Sequence, residues 1–69
     1  MKYSRQEKRL EASKIFNMIP HCKSEDDIER VSDLLDECML AGYIFKKDYN
    51  FLCEELDDRL MTLVEEGVI

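Results

Sequence analysis

The chain has 69 residues and a formal net charge of −6. Hydrophobic residues make up 45% of the composition and charged residues 38%, which is typical of a folded protein rather than a disordered one. A chain of this length hides only about 60% of the surface that it exposes when unfolded. We therefore expect a single small domain over residues 1–69 and exclude the large enzyme scaffolds. Two glycines and one proline are too few turn residues for a fold of several short strands.

The first predicted helix begins near Arg5 and ends near Met18. The preceding Ser4 and the following Glu7 form a capping-box pattern, in which each side chain accepts a hydrogen bond from a backbone amide at the helix start. Pro20 disfavours helical backbone at the residue before it. Four apolar residues fall on one side of this helix, and Tyr3 and Leu10 fall on the other. The four are Ala12, Ile15, Phe16 and Ile19.

A second helix is predicted to begin after Ser24, with three acidic residues in its first turn, where they suit the helix dipole. Gly42 is a natural place for the chain to leave this helix. Residues 43–45 then form a short apolar connector that we expect to be covered by the helices. The apolar stripe of the second helix consists of Ile28, Val31, Leu34, Leu35, Cys38 and Met39.

A third helix is predicted to begin near Lys47 or Asp48 and to end at Gly67. Its apolar stripe consists of Tyr49, Leu52, Cys53, Leu56, Leu60, Leu63 and Val64. The spacing is close to a heptad seam, which favours pairing with a second copy of the chain. The predicted fold is all-α, a small three-helix bundle made of a helical hairpin plus an N-terminal helix. A homodimer would complete its core.

The number and spacing of the three cysteines indicate neither a disulfide nor a metal site. Cys22, Cys38 and Cys53 form no CxxC pattern, their number is odd, and each stands where an apolar residue is expected. We interpret them as small core side chains in a reducing cytoplasm. His21 does not complete any common zinc spacing, so neither a metal nor another cofactor is expected. With no long apolar stretch and no signal peptide, we expect a cytoplasmic protein without membrane association.

Charge is distributed unevenly along the chain. Residues 1–23 contain six basic and two acidic residues, a net charge of +4, whereas residues 24–69 contain four basic and fourteen acidic residues, a net charge of −10. An acidic body repels the phosphate backbone, so we expect no direct nucleic-acid binding except through the basic N-terminal arm, and a basic protein as the partner.

Catalysis is not expected from these residues. The only histidine, His21, lies next to Pro20 in a predicted turn, and no serine or cysteine has a base at a spacing that fixes both on one surface. The sequence has no glycine-rich phosphate loop. Three short helices also offer little cleft in which carboxylate pKa values could be shifted.

The most informative feature is the outer face of the third helix, where two large apolar side chains stand among acids. Apolar side chains gain free energy by leaving water, and neighbouring carboxylates steer a basic partner. We predict that this face contacts the partner. An alternative is that its two apolar residues cover the first helix or a dimer mate. The predicted face consists of Phe51, Glu54, Asp58, Met61 and Glu65.

The second helix carries a further acidic stripe of Glu29, Asp33, Asp36 and Glu37. Its Asp26, Glu29 and Asp33 form the second candidate contact set, although a solvated face tolerates such a stripe without any function. Two pairs, Asp26–Arg30 and Glu55–Arg59, have the spacing of ordinary ion pairs within a helix.

These observations predict a non-catalytic acidic regulator that modulates or inhibits a basic, nucleic-acid-binding protein. A sharper alternative is a DNA mimic, in which two rows of carboxylates imitate a phosphate track. Inhibitors and antirepressors of phages and mobile elements, including anti-CRISPR proteins, have this size and charge.

Two local patterns resemble known families. The segment Cys22–Val31, CKSEDDIERV, resembles the start of the second helix in the Hha/YmoA family of small helical modulators, and Asp57–Leu60 is similar to that family's Asp-His-Arg-Leu segment. This resemblance implies binding to a nucleoid-structuring protein without specific reading of DNA, with Asp26, Glu29 and Asp57 facing the partner. The segment Cys53–Asp57 is similar to the Ser-Gln-Glu-Leu-Asp motif of sporulation aspartyl-phosphate phosphatases, but the serine and the glutamine are both replaced here.

Overall fold

The computed structural model describes residues 3–69, which form three α-helices joined by short connections. Helix α1 spans Arg5–Met18, α2 spans Glu25–Ala41 and α3 spans Lys46–Glu65, with a 3₁₀ turn at Ile19–His21. The described residues include no strand. The all-α prediction is confirmed, and each predicted helix boundary agrees with the observed one to within two residues.

Local hydrogen bonds explain where the first two helices begin. The Glu7 amide donates to Ser4 Oγ at 3.1 Å, and the Ser4 amide donates to Glu7 Oε1 at 3.0 Å, which confirms the capping box. These bonds lower the pKa of the Glu7 carboxyl, because they favour its charged form. At α2 the Asp27 amide donates to Ser24 Oγ at 3.2 Å, while the Lys23 amide donates to Asp27 Oδ2 at 3.0 Å. The Asp27 carboxylate thus accepts from the residue before the cap, and not from the Ser24 amide as in a capping box.

A tight turn connects α2 to α3. Gly42 adopts a φ of 78°, which favours glycine, and the Tyr43 amide donates to the Cys38 carbonyl at 2.8 Å. The next residue, Ile44, is buried, whereas Tyr43 and Phe45 are only partly buried, so the connector is covered in part. This turn brings α2 back along α3, and the two helices form the main hairpin of the fold. Helix α1 packs mainly against α3.

The core consists of apolar side chains from all three helices and from both connections. Its buried members are Ile15, Ile19, Cys22, Ile28, Val31, Leu35, Cys38, Ile44, Leu52, Leu56 and Leu63. Among the described residues no polar or charged side chain is buried. Two predicted members are wrong, because Phe16 and Val64 are exposed. Both lie at the edge of the apolar stripe of their helix, and the Phe16 ring is covered only in part, by the ring of Phe51.

The apolar stripe of α3 is used within the single chain. Leu52, Leu56 and Leu63 are buried by the other helices, and Leu60 and Cys53 pack against the same core. A second copy could not pack along this stripe without displacing α1 or α2. The fold is a rod of 42 × 16 × 15 Å, and Val64 is the one residue of the predicted α3 stripe that is exposed. None of the described helices has both the length and the apolar character needed to cross a bilayer.

Candidate protein-binding surfaces

The outer side of α3 carries an acidic strip, which we define as Glu54, Asp58, Met61 and Glu65. All four residues are exposed, and Met61 leaves 57% of its surface in contact with solvent. Helical spacing places them opposite the buried stripe of the same helix. The sequence therefore located this strip correctly, and three carboxylates surround its one apolar side chain.

The nearest cation on α3 does not neutralise the strip. The Arg59 Nε donates to the Cys22 carbonyl at 3.0 Å, so this guanidinium joins α3 to the connection that follows α1. The predicted Glu55–Arg59 pair is wrong, because no nitrogen of Arg59 lies within 4.0 Å of a Glu55 carboxylate oxygen. The predicted Asp26–Arg30 pair also fails to form. Within residues 3–69 the only ion pair joins Lys14 to Glu11 at 3.9 Å.

Phe51, the fifth predicted contact residue, lies in a different environment. Its ring stacks on that of Phe16, with centroids 5.9 Å apart and planes inclined by 22°. The ring remains 48% exposed, so it covers α1 only in part. The surface around it is cationic, whereas the sequence placed Phe51 among acids. The stacking on α1 matches the alternative interpretation of this residue.

A groove of about 720 Å³ runs between α1 and the first turns of α3. We call it the basic groove. Its cationic residues are Arg5, Arg9, Lys46 and Lys47, and its aromatic residues are Phe16, Phe45 and Phe51. Among residues 3–69, Asp48 is the only acid that lines it, and no residue of α2 takes part.

The start of α3 adds to the positive potential of this groove. Phe45 occupies the cap position and forms no side-chain hydrogen bond to the helix start. Lys46 and Lys47 follow in the first turn, where the positive end of the helix dipole favours acids instead. The Lys8 Nζ lies 4.9 Å from the centroid of the Phe45 ring, a cation–π contact. Helix stability therefore does not account for this cluster of cations.

Sequence reasoning missed the basic groove. The excess of basic residues in 1–23 and the Lys46-Lys47 pair were its only signals. Since all of α2 lies between α1 and α3 in the sequence, only the tertiary fold brings these cations to one side of the molecule.

The outer side of α2 is the second acidic surface, and we call it the α2 face. Its acidic residues are Asp26, Glu29, Asp33, Asp36 and Glu37, all of them exposed. Leu40 lies at the end of the same face and is 89% exposed, the highest value of any large apolar residue described. The Tyr49 hydroxyl donates to Asp36 Oδ1 at 2.8 Å, and this bond, with a further contribution from Cys53, raises the pKa of Tyr49 to about 12. Sequence reasoning found the acids but not the leucine.

One cavity brings together residue types that could suggest a nucleophilic site. Cys22, His21 and Asp27 all line a cavity of about 380 Å³ near the end of α1. The Cys22 thiol is buried and donates to the Met18 carbonyl, with sulfur and oxygen 3.7 Å apart. Burial raises the pKa of this thiol, and the Asp27 carboxylate raises it further, against a smaller opposite effect of Arg59. A catalytic cysteine needs the reverse, a lowered pKa, so this thiol is not activated.

In the described part of the chain, no group of three His, Cys, Asp or Glu side chains is placed to hold a metal ion.

Comparison of the chain with protein-family models, with curated proteins and with solved structures gives no match. The resemblances to the Hha/YmoA modulators and to the aspartyl-phosphate phosphatases therefore stay predictions. Asp26, Glu29 and Asp57, which the first of them implies as partner-facing, are all exposed.

Proposed function

We propose that this protein is a non-catalytic regulator that binds a basic protein through the acidic strip of α3. The observation that carries the proposal is the exposure of Met61 among the carboxylates of Asp58 and Glu65. A large apolar side chain in this position gains free energy when a partner removes it from water, and the carboxylates around it steer cationic partners. The inward direction of Arg59 leaves those carboxylates available.

A nucleic-acid-binding protein is the partner class that fits this surface best. Such proteins carry clusters of lysine and arginine that pair with phosphates, and a row of carboxylates offers them a competing set of anions. The regulator would then act by occupying a basic surface of its partner. Asp26, Glu29 and Asp33 of the α2 face are the second candidate contacts.

The DNA-mimic alternative would use both carboxylate rows together. Each row lies opposite the core stripe of its own helix, so the two rows leave the bundle in different directions. This placement favours contact through one strip over a continuous phosphate-like track.

The test is a pull-down from lysate with the tagged protein as bait, followed by titration against the recovered partner in purified form. Met61→Ala and Asp58→Lys are the informative variants, since both residues are exposed and neither belongs to the core. Leu10→Ala is the matched control, because Leu10 on α1 is 58% exposed, nearly the same as Met61.

We expect a basic protein to be recovered after nuclease treatment and to bind more weakly as salt rises. Met61→Ala and Asp58→Lys should each weaken binding about tenfold or more, while Leu10→Ala leaves it unchanged. Recovery that requires nucleic acid, or binding that is indifferent to both variants, would contradict the proposal. Competition between this protein and DNA for a single site, lost only when both carboxylate rows are neutralised, would support the mimic instead.

A further inference from the structure

We infer that the basic groove binds the α2 face of a second copy of the chain, with Leu40 of one copy seated on the phenylalanines of the other. This inference goes beyond the proposed function and uses no residue of the acidic strip; it uses the α2 face, which the proposed function gives only as its second candidate contact set. It rests on two complementary surfaces of the same chain, neither of which the core or the acidic strip uses.

The groove has the composition of a site for an acidic amphipathic helix. Its floor contains the half-exposed stacked rings of Phe16 and Phe51, and its rim carries four cations. Those cations form no ion pair within 4.0 Å among the described residues. Two of them, Lys46 and Lys47, stand where the helix dipole opposes them, which costs stability unless an anion compensates. An occupant with carboxylates around one apolar side chain would pack that side chain on the phenylalanine floor and pair its carboxylates with the cations of the rim.

The α2 face has that composition. Leu40 lies one turn after Asp36 and Glu37, and Asp33 lies one turn before them, so the four side chains share one side of the helix. Leu40 is 89% exposed and contributes nothing to its own core. Laying an amphipathic helix in an apolar groove is a common mode of protein recognition, with anchors spaced three or four residues apart. Leucine supplies the anchor here, and the acids meet the cationic rim.

The geometry makes the association head-to-tail. No α2 residue lines the groove, which lies between the other two helices, so each copy presents the groove and the face on separate parts of its surface. When the face of one copy occupies the groove of the next, one groove and one face remain free at the two ends. Such heterologous contacts close into rings or continue into longer assemblies, according to the rotation that relates one copy to the next.

The first measurement is the molar mass of the purified, nuclease-treated chain by sedimentation and light scattering, from micromolar to millimolar concentrations. The inference expects a mass that rises above the 8.2 kDa monomer with concentration. The mass should fall as salt shortens the Debye length from about 30 Å to about 3 Å. A chain that stays monomeric at the highest concentration in low salt overturns the inference.

Charge reversal then tests which surfaces meet. Lys46→Glu with Lys47→Glu reverses the rim of the groove, and Asp33→Lys with Glu37→Lys reverses the α2 face. The change at Lys46 and Lys47 places acids in the first turn of α3, where the helix dipole favours them. The change at Asp33 and Glu37 places lysines, which are good helix formers, at exposed positions inside α2. Loss of association in either variant would therefore not reflect loss of the helix. Asp36 is left unchanged because Tyr49 donates to it. Each double variant should be monomeric alone, whereas an equimolar mixture of the two should associate again, since opposite charges then face each other.

The apolar contact is tested with Leu40→Ser, which should weaken association about tenfold or more, against Leu10→Ser as a control that should not change it. Association that persists in Leu40→Ser, or a mixture of the two charge-reversed proteins that stays monomeric, overturns the inference. So does tight binding of a fluorescent oligonucleotide that is lost on reversal of Lys46 and Lys47, since the groove would then be a nucleic-acid site. Binding of the basic partner through Met61 is a separate measurement, so either proposal can fail alone.

Discussion

The ring of Phe51 on α3 stacks on the ring of Phe16 on α1, with the two centroids 5.9 Å apart. The contact places Phe51 in a groove lined by cations, about three helical turns before Met61 in the acidic strip. The two apolar residues that stand together among acids in the sequence thus belong to two surfaces of opposite charge. A protein with a net charge of −6 has a concentrated positive site as well as an acidic one.

The Phe16–Phe51 stack should contribute measurable stability. Phe16→Ala and Phe51→Ala should each lower the free energy of unfolding by about 1 kcal/mol, less than for a core phenylalanine because both rings are half exposed. The double variant should show a coupling of about 0.5–1.5 kcal/mol in a double-mutant cycle by urea denaturation. Strict additivity of the two losses would mean that the rings are not in contact in solution. Circular dichroism should stay helical in all three variants.

The carbonyl of Cys22 and the guanidinium of Arg59 form the longest-range side-chain hydrogen bond described, 37 residues apart in sequence. Arg59→Met keeps the apolar stem but removes the donor, so we expect a loss of about 1–2 kcal/mol in the free energy of unfolding. Arg30→Met is the control, because Arg30 is exposed and forms neither a hydrogen bond nor an ion pair in the described chain. It should change stability by less than about 0.5 kcal/mol. Equal effects of the two variants in urea denaturation would contradict a specific role for Arg59.

Features that depend on neighbours in sequence could be predicted from the sequence. The serine caps, Gly42 at the end of α2 and the period of the apolar stripes all act within one or two turns, and all are confirmed. Contacts between distant segments could not be predicted. A side chain such as Arg59 has an acid one turn away and a carbonyl 37 residues away, and only the packed fold shows that the carbonyl is within reach.

The same limit applies to the candidate surfaces. The acidic strip lies on one helix, so helical periodicity was sufficient to find Glu54, Asp58, Met61 and Glu65 together. The basic groove combines residues of α1 with residues of α3, and its position depends on how those two helices pack. Phe51 was assigned to the wrong surface for this reason, since its angle on α3 alone does not show that α1 lies beside it.

The three thiols should differ in reactivity. Cys22 and Cys38 are buried, and burial raises the pKa of both thiols, whereas Cys53 is only partly buried. A chromogenic disulfide reagent needs both access and a thiolate, so one thiol per chain should react quickly and two slowly, at rates set by opening of the fold. Cys53→Ser should remove the fast phase. In urea that unfolds the chain, Cys22 and Cys38 should react at the fast rate of exposed thiols. Three equal rates in the folded protein would contradict the described packing.

The hydrogen bond from Tyr49 to Asp36 predicts a loss of stability in alkali. In the folded chain this bond, together with the neighbouring Cys53, raises the pKa of Tyr49 to about 12, from an ordinary value of 10.0. Between these two values the unfolded chain loses the phenolic proton while the folded chain keeps it, so stability falls as pH rises. The stability that this raised pKa contributes is fully present below pH 10 and is lost as pH approaches 12. Tyrosinate absorbance should show one tyrosine that titrates late.

Tyr49→Phe and Asp36→Asn separate this effect from the other groups that titrate in alkali. Tyr3 and the thiols of Cys22 and Cys38 also have raised pKa values, but they are present in all the proteins compared. Urea denaturation at a series of alkaline pH values should show a shallower decline of stability in Tyr49→Phe than in the wild type. Asp36→Asn should return the late absorbance step toward the ordinary pKa, because the amide carries no negative charge. Identical alkaline profiles for the wild type and Tyr49→Phe would show that the bond does not persist in solution.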